Sequence, residues 1–495
     1  MDSSSAEPPW VTTGNLAAQV HETHTGVVML LGDKAYKAKK PVTTDFLDFS
    51  TAERRARACE REVALNRRLA PDSYLGVGRF SDPQGGEPEP VIVMRRYPDS
   101  ARLATLVREG QPVYAHLSVV AEMLARFHRA ADRGPAVDEQ GSAEAVAGRW
   151  RQNLTELQKY AGTVVDADTV AQVDRLVTQF VDGRGSLFAD RIAQGRVVDG
   201  HGDLLADDIF CLPEGPAMLD CLEFDDRLRY VDGIDDAAFL AMDLEFLHRK
   251  DLAEHFLDEY SRRAEDPAPT SLKHFYIAYR AVVRAKTDCV RFAQGHGEAA
   301  ADARRHLDIA AEHLTAGAVR LVIIGGGPGT GKTTVARALA ERLGATVIST
   351  DDVRQEMVRT GVISGHAGEL NSGLYRPENV AAVYDEVLRR AHGLLLAGVS
   401  VILDGTWRDP GPRERARTLA AESQAQIVEF TCALPPERAA ARVEARTGST
   451  SDATPEIAVA LAGDDAAWRA GHRLDTSRPL ADSVAEAQQI CCTAI

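Results

Sequence analysis

Eight consecutive residues, Gly326-Gly327-Pro328-Gly329-Thr330-Gly331-Lys332-Thr333, carry the groups needed to hold a chain of phosphates. Glycines at 326, 327, 329 and 331 let the backbone wrap closely with its amides turned inward. Lys332 supplies an ammonium that reaches the outer phosphates. Thr333 supplies a hydroxyl for Mg²⁺, and Thr330 and Thr334 complete the nucleotide-binding set. The apolar run 320–324 reads as a strand before the loop, and a helix starts near Lys332. A chance glycine-rich turn would lack this context, and the helix N-terminus adds a dipole that favours anions. ATP and Mg²⁺ are the expected cofactors.

Three further clusters follow the same chemistry. Ser349-Thr350-Asp351-Asp352-Val353-Arg354 comes just after a second strand. Asp351 and Arg354 are three apart and share a helix face. The carboxylate can accept the proton of a hydroxyl, and the guanidinium can bind an anion. Plain helix capping is the competing reading, and Asp352 reads as structural. Asp404 ends the strand 399–403, where a carboxylate can hold Mg²⁺ or its water. Arg438, Arg442 and Arg446 recur every four residues. They form either a solvated stripe or a lid that brings Arg442 and Arg446 onto a phosphate.

A separate stretch, His201-Gly202-Asp203 to Asp208, precedes a strand ending at Glu223-Phe224-Asp225. A loop carboxylate, a metal-binding residue five on and an acid after the next strand match kinase-type wiring. Asp203 would take the acceptor proton; Asp208 and Glu223, or Asp225, would hold Mg²⁺.

The elements that must position these groups fall into three zones. Residues 12–98 are strand-rich, with a hairpin at 26–37 turning on Gly32-Asp33, a helix at 51–69 and a strand at 91–94. Residues 99–316 are mainly helical around a strand-loop-strand stretch at 197–223. Beyond them, strands at 320–324, 345–349, 399–403 and 426–431 alternate with helices, which implies a parallel sheet covered on both faces. The expected domains are 1–317 and 318–495, divided where the helix 298–314 runs into Gly317.

The bulk properties limit the rest. The 495 residues suit two or three domains, and a formal charge of -16 argues against a nucleic-acid coat. The opening MDSSSAEPPW lacks a basic-then-apolar leader, and no apolar run approaches a membrane span. Seven scattered Cys read as reduced thiols, so a cytoplasmic protein is expected. Cys491-Cys492 reads as part of a free tail, and the final four residues as a chance likeness to a prenylation box.

On the loop GGPGTGKTT, the STDDVR segment, the ILDGTW strand end and the stretch RVEARTGSTSDAT, residues from Leu321 to about Asp475 resemble a group of P-loop kinases. That group includes gluconate kinase, polynucleotide 5′-kinase and chloramphenicol phosphotransferase. The resemblance implies Asp351 as general base and Arg354 near the acceptor phosphate. It does not imply one acceptor.

Residues from roughly His21 to Gly295 resemble the aminoglycoside phosphotransferase family, which implies a protein-kinase-like α+β fold. Lys37 falls where that family places the lysine that contacts ATP phosphates, with Lys39 as the competing choice. Glu62, or else Glu60, is the implied partner, and 91–98 leads to the implied adenine hinge. Three departures stand out. Asp208 replaces the family's Asn, Glu223 stands at the metal-binding Asp, and no glycine-rich loop precedes Lys37. The order of the two halves is similar to a two-domain bacterial family, on FLDFSTAERRARACEREVALNRRLAP and CLEFDDRLRYVDGIDDAAFLAMDLE. In the second of these segments Asp232, Asp235, Asp236 and Asp243 are expected to cap helices or pair with Arg227 and Arg229.

These readings imply phosphoryl transfer from MgATP to a hydroxyl of a small molecule: a sugar, an aminoglycoside-like compound or a related alcohol. Three rivals fit the same residues. The first half can be a non-catalytic sensor, the second a polynucleotide or nucleoside kinase, or the whole a nucleotide-dependent switch without an acceptor. The oligomeric state has no signal in the sequence.

Overall fold

The computed structural model describes residues 19–22, 26–42, 48–81, 85, 87–366, 372–445, 468 and 471–493. The chain packs as two compact units: residues 1–137 with 197–266, and residues 138–196 with 267–495.

In the first unit, β1 (Gln19–Glu22), β2 (Gly26–Leu31), β3 (Lys34–Lys39), β4 (Tyr74–Phe80) and β5 (Glu89–Arg95) form a five-stranded antiparallel sheet in the order β1-β2-β3-β5-β4. The expected hairpin is β2–β3, turning on Gly32 with φ +60°, a conformation that suits glycine. β4 was not expected. Gly76 and Gly78 make its sequence read as loop, yet it pairs with β5 through an irregularity at Tyr74/Gly76. The helix Ala52–Asn66 starts on a Thr51 side chain that accepts from the Arg54 amide. Its buried Cys59 and Val63 pack with Tyr74, Ile92, Phe210, Ala217 and Leu219.

Two small antiparallel pairs follow: β6 (Val197–Asp199) with β9 (Tyr230–Asp232), and β7 (Ile209–Leu212) with β8 (Gly215–Met218). The helix Gly233–Phe246 after β9 is almost wholly buried. A sheet with one helix, then hairpins on a helical base, is the protein-kinase-like α+β arrangement that was expected.

In the second unit, β10 (Arg320–Gly325), β11 (Thr346–Ser349), β12 (Val401–Asp404), β13 (Gln426–Ala433) and β14 (His472–Asp475) pair in parallel, in the order β11-β12-β10-β13-β14. Successive β10 side chains point to opposite faces. Leu321 and Ile323 join one apolar cluster with Val383 and Leu403, while Val322 and Ile324 join another with Leu339 and Phe430. Both faces are therefore covered, as a parallel sheet requires. The edge strand β14 was missed because its sequence, HRLD, is short and polar. Helices Ala143–Gln158, Ala167–Gly183, Gly185–Ala193, Thr270–Ala293 and Ala299–Ala316 pack in this same unit. The last of these ends on Gly317, three residues before β10. Gly183 comes so close to β13's lead-in that an added Cβ would lie 2.5 Å from the Ser423 carbonyl oxygen.

Candidate active site

The phosphate loop runs from the end of β10 to the helix Lys332–Leu343. Gly326, Gly329 and Gly331 hold φ of +132°, +80° and +91°, which non-glycine residues rarely adopt. Side chains are excluded here by sterics as well. A Cβ on Gly329 would lie 2.2 Å from the Ala439 carbonyl oxygen, and one on Gly326 2.7 Å from that of Cys432. At Gly327 the nearest atom is 3.9 Å away, so this glycine is not sterically required.

Within the loop, the Thr330 hydroxyl donates to the Gly327 carbonyl at 2.8 Å. The Lys332 ammonium donates to the same carbonyl at 3.0 Å, and no carboxylate among the described residues pairs with it. Thr334 is exposed beside Thr333. This arrangement presents backbone amides, a helix N-terminus and an ammonium without a direct carboxylate contact to one space.

The sheet brings the other groups to the loop. Register pairs Asp404 with Ile324 on one side and with Ser349 on the other, at the carboxyl ends of three adjacent strands. The Thr333 hydroxyl donates to Asp404 Oδ2 at 2.7 Å. The other oxygen, Oδ1, is buried without a hydrogen-bond partner. Burial holds the Asp404 carboxyl above its usual range, opposed by Lys332 and the Thr333 hydrogen bond and reinforced by Asp351. A hydroxyl beside a buried carboxylate with one oxygen unspent fits a divalent cation.

Asp351 sits in the first turn of the helix Thr350–Arg359, held by Arg354 Nη1 at 2.5 Å. Arg354 is buried, and its guanidinium lies 4.6 Å from the centre of the Tyr375 ring. Asp352 is exposed. Arg442 donates from Nη2 to the Thr476 carbonyl at 3.2 Å, and its Nη1 lies 3.5 Å from where a Gly331 Cβ would be. It therefore borders the phosphate loop. Arg438 is exposed, and Arg446 lies outside the described residues.

The first unit gathers a second set. Glu62, fully buried, forms ion pairs with Lys37 at 2.8 Å through Oε1 and with Lys39 at 2.5 Å through Oε2. Both candidate lysines therefore share one glutamate, and Glu60 is exposed. Lys37 also bonds Asp220 at 2.6 Å, while Lys39 bonds Glu223. Burial disfavours the Lys37 ammonium, yet Asp220, Glu62 and Glu223 together hold it well above the usual lysine range. Asp208 is pushed well above the carboxylate range by burial, then by Asp220 and Asp203. Asp220, not Glu223, is thus the acid placed with both Lys37 and Asp208. It adopts φ +62°, a strained conformation for a residue with a Cβ. Sequence reasoning missed it because it carried the strand on to Glu223, placing Asp220 inside it, whereas β8 ends at Met218. The available signal was position: Asp220 lies two residues past β8, and Glu223 five.

Of the aspartates of the second family segment, Asp232 caps a helix as expected, while Asp236 and Asp243 accept loop amides. Asp236 is fully buried and accepts the His201 amide at 2.7 Å and the Gly202 amide at 2.8 Å. His128 Nε2 lies 2.9 Å from it. Asp236 therefore fixes the loop that carries Asp203. Asp232 caps its helix through the Ile234 amide, and Asp243 accepts the Ala206 amide at 2.8 Å. Arg229 pairs with Asp199 and Asp226 instead, and Arg227 with Asp225.

None of the seven cysteines forms a disulfide; Cys491 is buried and Cys492 exposed. Among the described residues, no helix is long and apolar enough to cross a membrane.

A family model matches the segment that carries the loop. Residues 321–462 match the family model AAA_33, described as an AAA domain. A gluconokinase from Sinorhizobium meliloti 1021 is similar at 18 % identity, covering 35 % of this chain and 92 % of that one at a TM-score of 0.26. A choline/ethanolamine kinase family protein from Mesorhizobium loti is similar at 15 % identity, covering 62 % of this chain and 94 % of that one at a TM-score of 0.39. Uncharacterized protein Rv2004c of Mycobacterium tuberculosis (strain ATCC 25618 / H37Rv) is 58 % identical over 476 residues, 96 % of each chain. The chain therefore belongs to the family of that mycobacterial protein, and within it residues 321–462 form a P-loop domain of the AAA-domain type.

Proposed function

We propose that the protein is an ATP-dependent phosphotransferase whose P-loop site passes the γ-phosphoryl group of MgATP to a hydroxyl of a small molecule. The observation that carries this reading is the convergence of Lys332, Thr333 and Asp351 on Asp404. Loop amides and Lys332 bind the polyphosphate and stabilise charge on the moving group. Asp351, steadied by Arg354, takes the proton of the acceptor hydroxyl as its oxygen bonds to phosphorus and the bond to the β-phosphate oxygen breaks. Thr333 and Asp404 would hold Mg²⁺, which supplies neutralisation of phosphate charge. Arg442 borders the loop as a further phosphate ligand. The acidic chain favours a sugar, aminoglycoside-like compound or related alcohol over a polynucleotide.

ATP consumption with panels of sugars, aminoglycosides, nucleosides and 5′-hydroxyl oligonucleotides tests this reading. Turnover should depend on one acceptor class and vanish in Lys332→Ala. ATP hydrolysis indifferent to every added alcohol would leave only a nucleotide switch.

For the first unit we infer a nucleotide-facing site built from Lys37, Glu62, Asp203, Asp208 and Asp220. The sensor reading has one observation in its favour: Lys37 and Lys39 are already neutralised by carboxylates, leaving little net positive charge for a triphosphate. Loss of turnover in Asp203→Ala would overturn the sensor reading and make this unit a second catalyst.

A further inference from the structure

Two arginines of the second unit are buried away from every carboxylate among the described residues, and they are treated differently. Arg320 spends its whole guanidinium on carbonyl oxygens. Nε donates to Cys491 at 3.1 Å, Nη1 to Ala318 at 2.6 Å and Nη2 to Thr315 at 2.7 Å. Such a group is a staple and needs no further partner.

Arg184, only 1 % exposed, spends Nη1 alone, on the Gly183 and Ser423 carbonyls at 2.7 and 2.6 Å. Its Nε is buried with no hydrogen-bond partner, and the Phe180 ring lies 5.9 Å from its central carbon. Burial alone draws this guanidinium down to about 10. A charge so placed costs several kcal/mol unless something compensates it.

The side chain lines a narrow cavity with Gln179, Ser271, Phe275, His313 and Gln426. Among the described residues no Asp or Glu lines it. The Gln426 amide donates to Gln179 Oε1 at 3.0 Å, which leaves the Gln179 NH₂ group as a donor. Ser271 is turned away, donating to the Gly398 carbonyl at 2.6 Å. The space suits a group about the size of a water molecule rather than an organic ligand.

We propose that Arg184 is the cation of a small-anion site in the second unit, which takes one halide-sized inorganic anion such as chloride. The site lies where the helices Ala167–Gly183 and Gly185–Ala193 meet the start of β13, beside Val319, which leads into β10. β10 carries the phosphate loop at its other end. An anion here joins the helical layer to the sheet from the side opposite the catalytic loop, so it acts on stability and not on the transfer step.

The test uses the full chain. Bromide-soaked crystals should give an anomalous peak within hydrogen-bond distance of the Arg184 guanidinium. Absence of that peak overturns the proposal, whatever any variant does. Melting in sodium chloride should exceed melting in sodium methanesulfonate, whose anion is too large, by about 2–4 °C at equal ionic strength, saturably. Arg184→Met should melt equally in both salts. An equal chloride shift in wild type and Arg184→Met would also refute the assignment.

Discussion

The two candidate sites of this chain would meet a polyphosphate with opposite electrostatics. At the P-loop, the ammonium of Lys332 touches only a carbonyl, and the surrounding donors are backbone amides fixed by glycine conformations. In the first unit, the ammonium of Lys37 lies against two carboxylates, and Lys39 against two more contacts of the same kind. The first arrangement is open to anions before any ligand arrives. The second would have to exchange internal ion pairs for ligand contacts, and a divalent cation would serve to take over Asp220. Preorganised positive potential marks the unit expected to do chemistry.

The largest effect that would break this contrast is on turnover. Lys332→Ala and Asp351→Asn should each lower acceptor-dependent turnover by roughly 10²–10⁴-fold. Steady-state ADP formation measures it, and a variant at wild-type rate would move the chemistry to the first unit. Next comes the scaffold of the first unit. Asp236→Ala leaves two loop amides and His128 without their acceptor and should cost about 3–5 kcal/mol. Denaturant unfolding would register the loss, whereas a change under about 1 kcal/mol would deny Asp236 its positioning role.

A smaller effect separates two neighbouring glycines. Gly329→Ala meets the Ala439 carbonyl at 2.2 Å and needs a φ of +80°, whereas Gly327→Ala meets nothing closer than 3.9 Å. Nucleotide affinity should fall at least about tenfold in the first and less than about threefold in the second. Equal losses would mean that the loop is not held by sterics.

The smallest effect concerns pH. The Asp404 carboxyl is raised in the folded protein, so the nucleotide-free form gains stability as pH falls through that raised value. Magnesium-dependent nucleotide binding should weaken over the same window, because it needs the carboxylate. Asp404→Asn should lose this pH dependence and melt about 1–3 °C higher at neutral pH without nucleotide. A lower melting temperature would assign the buried charge a stabilising role.

Legibility in the sequence followed the same division. The P-loop site is nearly contiguous: its motif, strand and helix could be read together, and Asp404 and Asp351 follow from strand ends. The other site draws on segments near residues 37, 62, 203 and 220, so it depends on a pairing that no local pattern reports. That is why the sequence left Lys37 and Lys39 as rivals, where the fold pairs Glu62 with both. It is also why Glu223 or Asp225, and not Asp220, was read as the metal-binding acid. Glycines hid β4, and polarity hid β14, since each contradicts the usual strand composition. The packing of helices from 138–196 and 267–316 in one unit with the P-loop sheet has no local signature, because only their buried faces carry it.

Isothermal calorimetry of MgATP against the full chain tests the central claim most directly, comparing wild type, Lys332→Ala and Lys37→Met. The account predicts that Lys332→Ala loses the tighter binding event and that Lys37→Met keeps it. Undiminished affinity and stoichiometry in Lys332→Ala would contradict it.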